Sequence, residues 1–462
     1  MFDTLTYTRR RALLGETVGS GLLLFLGNVE SPMNYAANTY PFRQDSSFLY
    51  FWGLDDPNLA ALIDVDEHTE TVFGDDFTVD DIVWRGPQPT VAERAARAGV
   101  RRARPRAGLA DELLTAARRG RRVHLLPQYL AENQIAIERL LGIRAANVND
   151  HVSVEFVRAV IAQRAVKSAE EVREIEAALD TCHEMHTLAM RLSRPGVYER
   201  EVAGAIEGLV AQRGLRLAFP VIFSIHGETL HNHGHGNRME AGQMAVNDSG
   251  AESPLHYAGD ITRTIPIGGR FRGVQRDCYL SVLNAQRTAI AAMQPGVKFR
   301  DVHLLAGRCL LSDLKDVGCV KGNLDDAVAA GVQGLFFQCG LGHMLGLDVH
   351  DMEGLGEHYV GYGQTVERSP QFGLRSLRMA RELEPGFVMT VEPGLYFIPQ
   401  LIDRWRAENR LSEFINWDAV ERFRTFGGIR IEDNVLVTEG GCRVLGRPIP
   451  SDIDEVECLA SE

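Results

Sequence analysis

Cysteine pairing is the first thing this chain lacks. Its seven cysteines, at 182, 278, 309, 319, 339, 442 and 458, contain no Cys-x-x-Cys pair and are odd in number. That argues against a disulfide framework or a thiolate zinc site, and makes a reducing, cytoplasmic compartment the expectation. No apolar run approaches the roughly 18 residues that a spanning helix needs, so no integral membrane protein is expected. Thr8-Arg-Arg-Arg-Ala-Leu-Leu14 ahead of Gly21-Leu-Leu-Leu-Phe-Leu-Gly27 has the outline of a twin-arginine export signal. Glu16 interrupts it and the apolar segment is short, so a basic helix leading into a buried strand is the better reading. Positive charge is also scarce: 49 Lys and Arg against 62 Asp and Glu give a net charge of −13. A nucleic-acid binder would need a basic face. The first 150 residues hold no Gly-x-Gly-x-x-Gly and no phosphate loop, which leaves a nucleotide role without support.

What is present is a soluble globular composition, 45% apolar and 24% charged, over 462 residues. That length predicts two domains. In the first 150 residues, apolar runs at Leu22 to Leu26, Phe48 to Trp52, Ala60 to Val65, Ile82 to Trp84 and Val123 to Leu126 read as strands. Helical stretches at Val91 to Ala98 and Asp111 to Ala117 lie between them, so an α/β domain with a partly parallel sheet is expected. Ser168-Ala-Glu-Glu171 is a capping-box pattern that opens a long helix. The domain boundary is set at 155/156, giving an amino-terminal domain 1–155 and a catalytic domain 156–462. Pro195-Gly and Pro295-Gly mark two similar helix-to-helix turns and hint at an internal duplication.

Five segments of the second region carry residues suited to metal chemistry. They are Leu230-His-Asn-His-Gly-His235, Asp248 with Asp260, Gly340-Leu-Gly-His-Met-Leu-Gly-Leu-Asp-Val-His-Asp351, Thr390-Val-Glu-Pro-Gly-Leu-Tyr396 and Gly427-Gly-Ile-Arg-Ile-Glu-Asp433. Each alone reads as a turn, a capped histidine or a loop. Together they are harder to dismiss, because a buried carboxylate costs several kcal/mol unless a cation or donor compensates it. Two Asp, two Glu and one His form an oxygen-rich set suited to Mn²⁺, Co²⁺ or Zn²⁺, and four carboxylates suffice to bridge two ions.

In order and wording these motifs resemble the pita-bread metallopeptidases, and within them the proline-specific branch of prolidase and aminopeptidase P. Tyr40-Pro-Phe-Arg-Gln-Asp-Ser-Ser-Phe48 extends the likeness to that branch's amino-terminal domain. The resemblance implies a pita-bread catalytic domain of α+β type holding two divalent ions, Mn²⁺ first, with Co²⁺ or Zn²⁺ as alternatives. Carried over, Asp248 chelates one ion, Asp260 and Glu432 bridge both, and His343 and Glu392 complete the shells. A hydroxide shared by the ions attacks the scissile carbonyl, Glu392 takes its proton, and His231 and His350 steady the carbonyl oxygen. Arg430 partners a carboxylate from outside the metal shell. A homodimer acting on an Xaa-Pro dipeptide or short peptide is implied as well.

An arginine at the position of Arg378 grips the free carboxylate of a dipeptide in prolidase, which favours a dipeptidase over an aminopeptidase acting on longer peptides. The insert from Leu401 to Arg424, with Trp405, Trp417 and Phe423, points the same way. Arg375, Arg378 and Arg381 could equally form a solvated helical face. His233 and His235 read as loop residues rather than a second metal site. A non-catalytic pita-bread binding protein is the alternative of another class, and the full ligand set weighs against it. Three departures stand out: Cys339 replaces the family's usual histidine four residues before the metal histidine, Asn232 replaces a tyrosine, and Asp248 and Asp260 are twelve residues apart where eleven is usual. Twelve requires an odd loop or a bulge within Glu252 to His256 if both Asp are to share a face.

Overall fold

The computed structural model describes residues 1–364 and 366–462, which divide into two compact units. One comprises Met1–Arg164 with Met352–Tyr359, the other Ala165–Asp351 with Val360–Glu462. The boundary read at 155/156 falls inside the helix Val154–Ala165. Among the described residues no helix is long and apolar enough to cross a membrane.

The first unit is built on a five-stranded sheet, ordered Arg102–Arg104, Thr69–Phe73, Ala60–Asp64, Leu22–Leu26, Val123–His124. Leu22–Leu26 runs antiparallel to Ala60–Asp64 and parallel to Val123–His124, so the sheet is partly parallel as expected. All five residues of Leu22–Leu26 are buried, which explains its unbroken apolar run. The basic segment before it is the helix Thr4–Val18, capped by Asp3 and closed by Gly19 at φ 89°.

Two expected strands are helices instead. Phe48 to Trp52 lies in the helix Ser46–Trp52, where Asp45 accepts from the backbone N–H of Phe48 at 2.8 Å. Every residue of that helix is buried, so its apolar run reflects burial all round rather than strand alternation. Ile82 to Trp84 lies in the helix Val79–Arg85, started by a capping box of Thr78 and Asp81. Runs this short do not separate the two periods, and in both cases the cap was the usable signal.

The second unit begins with the helix Ala169–Leu192, whose start carries the Ser168/Glu171 capping box. The two Pro-Gly turns are matched bond for bond. Gly196 N–H donates to the Met239 carbonyl at 2.8 Å and Met239 N–H returns to Val197 at 2.9 Å. A hundred residues on, Gly296 N–H donates to Leu383 at 2.9 Å and Leu383 N–H returns to Val297 at 2.9 Å. The next positions pair alike, Tyr198 with Arg238 and Lys298 with Glu382. The duplication therefore holds at the level of backbone pairing. Each half contributes a helix pair and strands: Ile222–Ser224, Met244–Ser249 and Ile261–Pro266 in the first, Val388–Val391, Asp433–Thr438 and Gly441–Val444 in the second. A bridge between Thr262 and Glu432 joins the two sets of strands at the site.

Candidate metal centre

Asp248 and Asp260 belong to one hairpin. Met244–Ser249 pairs antiparallel with Ile261–Pro266, in a register that sets Asp248 opposite Thr262 and Ser249 opposite Ile261. Side chains alternate along a strand, so Asp260, two residues before Thr262, shares its face and lies diagonally beside Asp248. The same register continues through the Glu252–Ala258 bridge to Ser253, whose N–H donates to the Tyr257 carbonyl at 2.8 Å. Pro254, Leu255 and His256 are left as a three-residue loop with His256 at φ 68°. The odd loop required by the twelve-residue spacing lies where Pro254 breaks the pairing, and no bulge interrupts the hairpin.

Three other segments converge on this face. Gly342 has no room for a Cβ, which would collide with the Thr390 carbonyl, and this closeness seats His343 against the strand Val388–Val391, directly ahead of Glu392. His343 N–H donates to Thr390 Oγ1 at 3.0 Å, and the Thr390 hydroxyl donates to Glu392 Oε1 at 3.2 Å. His343 Nδ1 lies 3.0 Å from the Met344 carbonyl, which makes it the protonated nitrogen and turns the Nε2 lone pair towards the carboxylates. That Nε2 stands 3.4 Å from Asp260 Oδ2 and 3.4 Å from Glu392 Oε1. Glu432 enters beside Thr262, whose hydroxyl donates to Glu432 Oε2 at 2.7 Å. Ligand atoms of Asp260, His343 and Glu432 all fall within 4.8 Å of one another.

Arg430 holds the far side of the cluster. It donates to Asp248 Oδ2 at 2.6 Å, to Thr262 Oγ1 at 3.1 Å and to the Tyr396 hydroxyl at 3.1 Å. Asp248, Asp260, His343, Arg430 and Glu432 are all buried. Burial pushes the Asp248 carboxyl up even against the Arg430 charge. Asp260 and Glu432 are pushed well above the usual carboxylate range by burial first, then by the neighbouring carboxylates.

Asp248 Oδ1, Asp260 Oδ1 and Glu432 Oε1 are buried without a hydrogen-bond partner. Buried oxygens without donors, grouped around the imidazole of His343, make an arrangement that divalent cations would satisfy. The residues present therefore fit a metal group of the expected kind.

All nine sequence-derived site residues line one cavity of about 250 Å³: His231, Asp248, Asp260, His343, His350, Arg378, Glu392, Arg430 and Glu432. The rings of His343 and His350 meet edge to face with centroids 4.3 Å apart. Burial, then the charge of Arg430, pushes His231 below the ordinary imidazole pKa, so it is neutral at pH 7. Phe219, Pro220, Ile222, Leu230 and Val349 supply an apolar side. Arg375 and Arg381 turn instead to Phe372 and Phe387, at 5.2 and 4.7 Å. Only Leu374–Ser376 is helical there, a single 3₁₀ turn, so the three arginines form no helical face. His233 also lines the cavity, while His235 bonds the Phe223 carbonyl at 3.1 Å. Thr262, Thr390 and Tyr396 were not singled out in the sequence; the first two lie two residues from a carboxylate in Asp-x-Thr and Thr-x-Glu. Cys339 faces the cavity as a neutral thiol, pushed up to about 12 by burial and then by Glu392, which disqualifies it as a nucleophile.

Residues 173–439 match metallopeptidase family M24, and residues 7–125 match the aminopeptidase P amino-terminal domain. The chain is 32% identical over 461 residues to human Xaa-Pro dipeptidase, covering 96% of this chain and 90% of that protein. It is 31% identical over 470 residues to the Xaa-Pro aminopeptidase of Escherichia coli K12, covering 98% and 97%. Among solved structures, the low-pH form of E. coli aminopeptidase P superposes with a TM-score of 0.82 at 28% identity, covering 100% of this chain and 98% of that one. Proline aminopeptidase P II from Yersinia pestis gives 0.79 at 26%, covering 99% of each. The expected architecture, an amino-terminal domain followed by a pita-bread domain, is thus the one found. With its buried carboxylates, imidazole and matched motifs, the chain belongs to metallopeptidase family M24.

Proposed function

We propose that this protein is a binuclear Xaa-Pro dipeptidase, with residues 156–462 as its catalytic domain and 1–155 as its amino-terminal domain. The observation that carries the reading is the placement of Arg378 in the cavity that holds the carboxylate cluster. A cavity of about 250 Å³ is small beside the roughly 300–1,000 Å³ of most ligand pockets, which supports a short substrate.

Asp248, Asp260, His343, Glu392 and Glu432 would hold two divalent ions, Mn²⁺ in the first instance. When bound, such ions polarise the scissile carbonyl and make water nucleophilic near neutral pH. The chain's own groups do the rest. Arg378 binds the carboxylate of the proline residue through its planar fork and sets the register of the peptide. Glu392 accepts the proton released by the attacking water, with Thr390 holding its carboxylate in place. His231 and His350 donate to the developing oxyanion, and the apolar side of the cavity lowers the local polarity around it. Arg430 orients Asp248 and opposes the rise that burial imposes on its carboxyl.

A second reading, cleavage of longer Xaa-Pro peptides, is favoured by the full-length likeness to E. coli aminopeptidase P. A non-catalytic binding role is disfavoured by the unsatisfied buried carboxylate oxygens, which a binding module has no use for. The seven cysteines are all free thiols, in keeping with a cytoplasmic setting. Homodimerisation rests on the resemblance alone. The test is cleavage of Ala-Pro against Ala-Pro-Xaa by Mn²⁺-loaded protein. Dipeptide cleavage supports the first reading, tripeptide-only cleavage the second, and no cleavage of either defeats both.

A further inference from the structure

One carboxylate joins both ends of the loop that carries His231, beside the bond from His235 to the Phe223 carbonyl at 3.1 Å. Glu199 is fully buried at the first position of the helix Glu199–Gln212. Its Oε1 accepts from the backbone N–H of Ile225 at 2.8 Å, where the loop leaves the strand Ile222–Ser224. Its Oε2 accepts from the backbone N–H of Asn237 at 3.0 Å and from the Asn237 amide at 3.0 Å, where the loop returns. Among the described residues Glu199 makes no ion pair, so these N–H groups and the helix start are what stabilise a carboxylate held out of water.

The internal duplication supplies a control. Glu199 N–H donates to the Asn237 carbonyl at 3.0 Å, and Phe299 N–H donates to the Arg381 carbonyl at 3.0 Å in the same step of the other half. Phe299 is also fully buried. The turn therefore forms without a carboxylate, and the backbone alone does not call for Glu199. What distinguishes the first half is its His231 loop. Inside it, the Asn232 amide donates to Ser224 Oγ at 2.9 Å, which ties the neighbour of His231 back to the strand.

Building on the proposed role of His231, we propose that Glu199 is a positioning residue for the reaction: by clasping both ends of the 225–237 loop it fixes His231 at the cavity. Glu199 does not line the cavity, and its carboxylate bonds Ile225 and Asn237 rather than a proposed metal ligand. The Glu199→Gln variant keeps the shape but turns one oxygen into a donor facing N–H groups, which opens one end of the clasp.

The experiment uses the full chain loaded with Mn²⁺. In E199Q, kcat/KM for Ala-Pro should fall about 30-fold, in His231→Ala about 100-fold, and in the double variant by no more than His231→Ala alone. Hydrogen exchange of the 225–237 peptide should quicken about tenfold in E199Q while metal content stays at the wild-type value. An E199Q loss below threefold, losses that multiply in the double variant, unchanged loop exchange or lost metal would each overturn the assignment. Should E199Q not fold, Asn237→Ala, which keeps the main-chain contacts, is judged by the same criteria. A wild-type protein inactive on every Xaa-Pro peptide would defeat the functional reading, while the exchange measurement would still decide whether Glu199 clasps the loop.

Discussion

Arg430 donates to Oδ2 of Asp248 over 2.6 Å, and both side chains are buried. The same guanidinium reaches Thr262 and Tyr396, so one planar group links three elements of the site. Lysine cannot reproduce that fork. Arg430→Lys and Arg430→Ala should each weaken metal binding about 10- to 100-fold, the cost usual for removing an outer partner of a ligand. Competition against a chelating dye measures this directly.

Asp260 faces Asp248, Glu392 and Glu432 across a buried space with no donor on its Oδ1. An amide there would replace one carboxyl of a crowded acidic cluster with a group that donates to a neighbour. Asp260→Asn should therefore bind fewer than one ion per chain, yet make the stripped protein about 1–3 kcal/mol more stable than stripped wild type. Metal analysis and denaturant unfolding of chelator-treated protein check both halves.

If Arg378 grips a substrate carboxylate, its loss should be selective. Arg378→Ala should cut kcat/KM for Ala-Pro about 30- to 100-fold, a charge-assisted pair's worth. Ala-Pro-Xaa, whose carboxylate lies one residue further on, should lose less. Equal losses on the two peptides would remove the carboxylate-binding role.

His303 is buried with neither ring nitrogen bonded, stacked at 4.9 Å on Phe337. Burial pushes its pKa down to about 4 from 6.5. Between those values the unfolded chain binds more protons than the native one. The contribution of His303 is thus complete above pH 6.5 and is lost as pH falls towards 4, about 3 kcal/mol in full. His303→Leu should flatten stability against pH in that window by about this amount, as urea unfolding at pH 4.5 and pH 7 would show.

Much of the site was legible because its chemistry is written in short segments. Asp248, Asp260, His343, Glu392 and Glu432 each sit in a strand-like or glycine-bounded run, and even the odd hairpin loop followed from counting residues. The particular pairings were not legible, although Arg430 was already expected to partner a carboxylate. Nothing in the spacing joins Arg430 to Asp248, 182 positions apart, or Glu199 to the His231 loop, because both depend on how two halves of a fold are brought together. Phe48 to Trp52 and Ile82 to Trp84 misled for a local reason: in runs this short, helix and strand periods look alike. Their caps, Asp45 and Thr78, carried the information that the apolar residues did not.

The central claim, metal-dependent cleavage of Xaa-Pro dipeptides, is tested most directly by one comparison of kcat/KM. Chelator-stripped and Mn²⁺-reloaded full-length protein would be assayed on Ala-Pro and Ala-Pro-Xaa side by side. The account predicts no turnover when stripped and, on reloading, Ala-Pro cleaved at least about tenfold more efficiently than the tripeptide. Reloaded protein that leaves Ala-Pro intact would contradict it.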